Sequence, residues 1–504
     1  MNFTAELAGY GRLVPLGAPV PESAPRLTAR RAAGPARVLP SLGDALAEAG
    51  ARDGQTFSFH HHLRNGDGVL NAVMAAGAGA GLQGLTLAPS SLFPVHAPLV
   101  EHMGAGRVAG LRTAYMTGPV AMAVGQGALP TPAVFQTHGG RARVIENGEM
   151  PVDIAFIAAA MADHAGNLTG ACGPQAFGPL GYGVVDARHA RVVVAVTDCL
   201  VDSLPCAPDI YGTLVDFIVP LTRIGDAARI QSGTTQITTD PTGLKIAALS
   251  ADLIAASGLM RDGMSFQTGA GGISLAVARE LGDRMQRANL RGGFASGGIT
   301  APLVDLHWRG LFRELLDVQA FDLAAVQSYR DDPAHHMMSA SRYASPARPD
   351  AVVDALDVVI LGAAEVDLSF NVNVTTGSDG HILGGSGGHA DCAAGAKLTI
   401  ITTALAAKTR AKIVPQARCI TTPGGSVDAV VTEAGIAINP ARSDLADHAR
   451  AAGLPVLAIE DLAAMVPPPV AADKSGRVIG VSQYRDGRVS DLLYLPDPRP
   501  ISLA

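Results

Sequence analysis

Aromatic residues are scarce in this chain, only 4% of 504 residues, with a single tryptophan, Trp308. Charged residues are scarce too, at 16% against the roughly 25% usual for soluble domains. Apolar residues reach 48%, so the shortage of charge does not signal disorder, which needs low hydrophobicity together with high charge. The interior has to be built from Ala, Val, Ile and Leu instead. Mean hydropathy is +0.25, yet no run of about 18 apolar residues free of charges or Gly/Pro breaks is present, as a membrane-spanning helix would require. The opening MNFTAELAGYGRLVPLGAPV lacks a basic start followed by a continuous apolar stretch, so no secretory signal is expected. Five cysteines (Cys172, Cys199, Cys206, Cys392, Cys419) are an odd number at no metal-like spacing. They read as reduced thiols of a cytoplasmic protein. A net charge of −7 argues against a nucleic-acid partner.

Glycine, by contrast, is in excess: 58 residues, well above an average share of about 7%. Each marks a place where the chain turns tightly or backbone comes close to something. The length predicts two to four domains. Residues 1–42 form a Pro/Ala/Arg-rich arm, GAPVPESAPRLTARRAAGPARVLP, of the extended kind that packs on a surface or straps subunits together. After it, short β-branched runs fit strands covered on both faces. These are Val152–Ala159, Val192–Thr197, Leu356–Ala364 and Leu398–Leu405. Helical stretches such as Ile273–Leu290 alternate with them. The expected fold class is α/β with mainly parallel sheets.

The chain also repeats itself. Arg52-Asp53-Gly54-Gln55-Thr56-Phe57 returns as Arg261-Asp262-Gly263-Met264-Ser265-Phe266, and Val152–Leu168 aligns with Leu356–Val372. In the second match Asp153 meets Asp357, Asp163 meets Asp367 and Asn167 meets Asn371. Two copies of one unit are expected, spanning residues 43–245 and 246–504. Where the scaffold matches, the chemistry differs: Met161 of the first copy is Glu365 in the second. A carboxylate just past a strand end, where parallel sheets bind ligands, is a candidate catalytic group.

Three glycine clusters follow strand-like segments. They are His60-His61-His62-Leu63-Arg64-Asn65-Gly66-Asp67-Gly68, then Thr268-Gly269-Ala270-Gly271-Gly272, then Gly377-Ser378-Asp379-Gly380 continuing to Gly384-Gly385-Ser386-Gly387-Gly388-His389. Such loops turn unpaired N–H groups toward a phosphate, carboxylate or oxyanion. The spacing at Gly269–Gly272 is not the dinucleotide fingerprint and no P-loop occurs, while Ser386 within Gly384-Gly385-Ser386-Gly387-Gly388 reads as part of an N–H-rich loop rather than as a nucleophile on an elbow. On a strand, His60 and His62 share one face and His61 the other. Without a third ligand they are expected to donate hydrogen bonds to an anion rather than bind metal, with Arg64 as a bidentate carboxylate partner.

SFHHHLRNGD, HAPLVEH, QTGAGGISLAV, NVNVTTGSDG, GGSGGHAD and VVTEAGIAINPAR together resemble the citrate lyase alpha subunit family, over roughly residues 45–485. More widely, AAEVD, GGSGGHAD and VPQA…TTPGGSVDAVVTEAGIA are similar to the coenzyme A transferase superfamily. The resemblance implies two related α/β domains with the active site between them. It implies that an acyl carrier thioester passes from acetate to citrate, giving citryl carrier and free acetate. The implied partners are citrate, acetate, an acyl carrier (gamma) subunit and a citryl-lyase (beta) subunit, in a complex where a homo-oligomer is also expected. No cofactor bound by this chain is implied. The chain would act on the carrier's phosphoribosyl-dephospho-CoA arm, with acetyl-CoA as a possible surrogate.

On that resemblance Glu365, Gly387 and Gly388 are the catalytic candidates, the glycines as oxyanion donors. The superfamily implies a covalent intermediate on a Glu matching Glu365, while the citrate lyase branch implies direct exchange, with Glu365 as positioner or acid/base group. Substrate contacts are expected from His60, His61, Arg64, Asn371, His389 and Arg418. The carrier arm or its anionic groups are expected at Gly269, Gly271, Gly272, Ser378, Gly384 and Gly385. Two other readings fit the scaffold: a free-standing CoA transferase using another carboxylate, and a non-catalytic acyl-CoA-binding protein.

Overall fold

A computed structural model describes residues 6–22, 24–231, 235–408, 410–467 and 474–496. The β-branched runs become strands buried on both faces, as at Ile154–Ala159, Val192–Thr197, Val358–Gly362 and Leu398–Thr402. Helices cover them, among them Gly272–Arg287, close to the span that the periodicity predicts.

The duplication is visible in the strand order. In the first sheet, Ala133–Phe135, Val108–Thr113, Leu85–Pro89, Thr56–Phe59, Ile154–Ala159, Val192–Thr197 and Phe217–Pro220 lie side by side. In the second, His335–Met337, Phe312–Ala320, Gly292–Ile299, Phe266–Thr268, Val358–Gly362, Leu398–Thr402 and Ala429–Val431 take the corresponding places. All neighbours within these two sets of seven are parallel.

The matched residues do matched work. Asp153 accepts from the Thr56 N–H at 2.9 Å, and Asp357 from the Ser265 N–H at 3.0 Å. Asp53 accepts from the Gln83 N–H and Asp262 from the Arg291 N–H, each at 2.8 Å. A small sheet accompanies the large one in each half: Met161–Asp163 between Leu168–Thr169 and Leu200–Val201, and Glu365–Asp367 between Val372–Asn373 and Ile413–Val414. Each buried ladder accounts for the polar backbone that would otherwise be stranded in an apolar interior.

The expected boundaries shift in two places. The division at 245/246 falls inside the helix Pro241–Ala256, whose Pro at the first turn and Asp240 cap start the second half at Pro241. The hairpin Val478–Gln483 and Val489–Tyr494, assigned to the second half by sequence order, instead extends the first sheet beyond Ala133–Phe135. An exposed edge strand offers unpaired N–H and C=O groups, and the hairpin covers them.

The N-terminal arm lies along its own first half. Its Leu27 N–H donates to the Glu146 carbonyl at 2.7 Å, and Arg30 pairs with Asp216 at 2.7 Å. Arg37–Val38 joins the opposite edge of the first sheet, beside Phe217–Pro220. Among the described residues no helix is long and apolar enough to cross a membrane.

Candidate active site

At the carboxyl ends of the two sheets, the halves enclose a cleft of about 380 Å³. The first half contributes His61, Arg64, Ser91, Phe93, Tyr115, His138 and Tyr182 to its wall. The second half contributes Gln267 and the Thr268–Gly271 loop, Phe321, Tyr343, and Gly385 to His389. Open α/β sheets bind ligands at this end because loops there can be varied without disturbing the strands.

The first strand of the unit, Thr56–Phe59, stops before the histidines, so they do not alternate faces as a strand would dictate. All three are buried and turn in different directions. His60 goes inward: its Nδ1 is 3.3 Å from Asp186. Asp186 also accepts from both Arg141 terminal nitrogens, at 2.9 and 3.1 Å, and from the Ser58 hydroxyl. This places His60 on a buried ion pair rather than in the cleft wall, and burial pushes its pKa down to about 4. His62 stacks on Phe177, ring centroids 5.6 Å apart. His61 alone reaches the cleft. Its Nδ1 is hydrogen-bonded to Ser90, and burial holds it neutral.

Arg64 has a positive φ of 51°, which swings its side chain into the cleft. The guanidinium lies over Phe321 at 4.3 Å and Phe93 at 5.4 Å, the cation–π arrangement that suits a desolvated arginine. Burial lowers its pKa to about 10, so it stays charged at neutral pH. It is the one side chain of the described cleft wall that carries charge there. Around it are polar groups held uncharged, including Tyr182 and Tyr343, whose phenols burial pushes well up.

The Gly384–Gly388 segment owes its glycines to close approach. A Cβ on Gly385 would stand 2.3 Å from the Ala114 carbonyl oxygen, and one on Gly388 would stand 2.4 Å from the Tyr343 hydroxyl. Gly387 has a φ of 52° and gives its N–H to the Ala114 carbonyl at 3.0 Å. That bond removes Gly387 as a ready donor to an oxyanion. Gly388 caps the helix His389–Gly395, and no main-chain acceptor takes its N–H among the described residues. Gly269 and Gly271 also line the cleft.

Several expected groups stand elsewhere. Glu365 is 5% exposed and outside the wall. Its Oε2 accepts from Asn373 Nδ2 at 2.9 Å and from the Arg418 N–H at 3.0 Å. Asn371 is not part of the described cleft wall; it donates to Asp367 and accepts from the Gly424 N–H at 2.9 Å. Asn167 makes the same set with Asp163 and Gly212, so the arrangement belongs to the scaffold of both copies. The Arg418 guanidinium lies against Gly380. Ser378 sits in the Gly377–Gly380 turn, Gly272 lies against Gln236 and Thr238, and Gly384 lies against Val374 and Tyr115. His389 lines the cleft with both ring nitrogens occupied, by Thr422 at 2.7 Å and the Gly362 carbonyl at 2.9 Å.

His138, Tyr115, Tyr182, Gln267 and Tyr343 are cleft residues that the sequence reading missed. For His138 a signal existed: Thr137-His138-Gly139-Gly140 follows the apolar run AVF. Thr137 accepts from the Gly140 N–H as a helix cap, which puts His138 first on a helix at a strand's carboxyl end. Among the described residues no group of three or more His, Cys, Asp or Glu is placed to hold a metal ion.

The model of the family described as citrate lyase, alpha subunit, matches residues 36–495. Citrate lyase alpha chains from Escherichia coli and Klebsiella pneumoniae are 44% and 42% identical to this chain, each over 91% of both proteins. Among solved structures, the alpha subunit of citrate lyase from Streptococcus mutans in complex with citrate is 39% identical, with a TM-score of 0.89 over 94% of each chain. A Pseudomonas malonate decarboxylase hetero-tetramer in complex with malonate, at 17% identity and a TM-score of 0.64 over 87% of this chain and 85% of that one, shares the fold.

Proposed function

The chain belongs to the citrate lyase alpha subunit family, and from that premise we propose that it is the acyl-exchange transferase of a multi-subunit citrate lyase. It moves a carrier thioester from acetate to citrate. One observation carries the reading at the level of chemistry: the cleft between the halves sets a single buried cation, Arg64, among neutral donors and a loop of close-packed glycines. Arg64 gives a carboxylate a planar partner. Phenols and imidazoles supply further hydrogen bonds without further charge, which suits exchange between two carboxylic acids.

The reaction needs no net proton transfer. A citrate carboxylate oxygen bonds to the acetyl carbon and the thiolate leaves, forming a mixed anhydride. The thiolate then attacks the citryl carbonyl of that anhydride, and acetate departs. Glu365 lies behind the wall with one oxygen held by Asn373 and Arg418. Its placement favours direct exchange, with Glu365 supporting the loops at 371–376 and 417–418 rather than carrying the acyl group. The thiol belongs to the carrier's phosphoribosyl-dephospho-CoA arm, for which coenzyme A is the surrogate. Carrier and citryl-lyase subunits are the partners this assigns.

The test mixes the protein with acetyl-CoA or acetyl-carrier and a panel of carboxylates. Citryl thioester and free acetate are expected. Turnover of another acid with none of citrate would favour a free-standing CoA transferase. Tight acyl-CoA binding with no exchange onto any acid would favour a non-catalytic binder.

A further inference from the structure

Three consecutive residues of the first half are fastened to the second. The Thr137 hydroxyl donates to Asp391 Oδ1 at 2.8 Å, the His138 N–H to the Gly387 carbonyl at 2.9 Å, and the Gly139 N–H to Asp391 Oδ2 at 2.9 Å. Gly139 admits no side chain, since a Cβ would stand 2.0 Å from the Ala344 carbonyl oxygen. The clamp therefore fixes the His138 ring relative to the Gly387–Gly388 turn. His138 is 8% exposed and lines the cleft, and its ring packs against His61 and Tyr182 at centroid distances of 5.8 and 4.6 Å. Its Nε2 is directed at the turn, 3.4 Å from where a Gly387 Cβ would be. Its Nδ1 is buried and has no hydrogen-bond partner among the described residues.

These contacts select the tautomer. A proton on Nδ1 would bury an N–H with no acceptor, the rarer and costlier kind of unpaired group. A proton on Nε2 points into the cleft. Burial, with the nearby Arg141 charge adding to it, pushes the imidazole pKa down to about 3, so the ring is a neutral donor throughout the working range. The turn beside it has need of one, because the Gly387 N–H is already taken by Ala114.

We propose that His138 is a catalytic residue of the exchange: its Nε2–H donates to the thioester carbonyl oxygen as negative charge develops there. The assignment rests on the acyl-exchange reading above. As the citrate oxygen bonds to the acyl carbon, the carbonyl π pair moves onto oxygen and is held by Nε2–H. It returns as the C–S bond breaks and the thiolate leaves with its electron pair. The second attack repeats this at the citryl carbonyl, with the C–O bond to acetate breaking. His138 keeps its proton in both steps.

The experiment compares wild type with His138→Ala, His138→Leu and His138→Gln. Acetyl-CoA exchange onto citrate is measured at steady state, and citrate affinity by calorimetry. Losing one oxyanion donor typically costs about 10²–10³ in kcat. That fall is expected for Ala and for Leu, which fills the ring's space without a donor, while citrate affinity stays within about three-fold. Gln, which keeps an N–H, is expected to recover at least about ten-fold of the loss. Loss confined to citrate affinity, or kcat within about five-fold of wild type in both Ala and Leu, overturns the assignment. Absence of exchange in wild type refutes the function itself, a result distinct from either.

Discussion

Gly385→Ala tests the seam between the halves at one atom. The new Cβ would be placed 2.3 Å from the Ala114 carbonyl oxygen and 3.0 Å from Tyr115 Cα. Both are backbone, so no side-chain rotation relieves the clash. Ordinary contact begins near 3.4 Å, so the loop or the Ala114–Tyr115 backbone has to retreat by about 1.1 Å. The same carbonyl accepts the Gly387 N–H at 3.0 Å, and the retreat strains that bond as well. A misplacement of about 1 Å in reacting groups can cost about 10²-fold, or about 2.7 kcal/mol of transition-state stabilisation. The assay is steady-state exchange of acetyl-CoA with citrate, alongside Gly79→Ala as control. Gly79 ends the helix Val69–Gly79 with open space around its would-be Cβ, so this change leaves exchange untouched and stabilises by at most about 1 kcal/mol. A Gly385→Ala enzyme with kcat/KM within about three-fold of wild type would refute the view that close approach of the halves sets the geometry of the cleft.

During demonstrated turnover, the peptide bearing Glu365 should keep its unmodified mass after borohydride or hydroxylamine treatment, and an adduct there would rule out direct exchange. Asp186→Asn leaves the Arg141 charge uncompensated between residues 2% and 0% exposed. About 3–5 kcal/mol of stability should be lost in urea unfolding, and a loss under about 1 kcal/mol would contradict the ion-pair account. His138 is neutral in the fold down to about pH 3 but protonates near 6.5 when unfolded. The unfolded chain therefore binds the extra proton as pH falls below about 6.5, and stability drops by about 1.4 kcal/mol per pH unit. His138→Gln lacks this penalty, so its stability relative to wild type should climb by that slope between pH 6.5 and 5. Asp209 and Asp391, each raised to about 6 by burial, titrate in both proteins and cancel in the difference. A difference flat with pH would show that His138 is not held neutral by burial.

Much of the architecture was legible in the linear pattern. Buried strands need β-branched runs and the helices between them need three- and four-residue spacing, so the α/β alternation follows from local physics. The duplication was legible because Asp153, Asp163 and Asn167 hold backbone N–H groups that their partners Asp357, Asp367 and Asn371 also hold. Those bonds are short-range or within one unit, and they leave fixed residue types at fixed places. His61, Arg64 and the glycine loops followed strand ends and were found for that reason.

The remainder depended on which segments meet. His60 and His61 are neighbours in sequence, yet one joins a buried ion pair and the other the cleft, a choice made by Asp186 and Ser90 from distant segments. The hairpin Val478–Gln483 and Val489–Tyr494 completes the first sheet across most of the chain's length, a pairing that periodicity does not encode. Glu365 differs from Met161 in sequence, but only packing shows that its carboxylate lies behind the wall. The sequence by itself determined the repeated scaffold, the strand ends and the family. Tertiary structure decided which polar groups share a cleft, because burial and close approach between the halves depend on surfaces that are far apart along the chain.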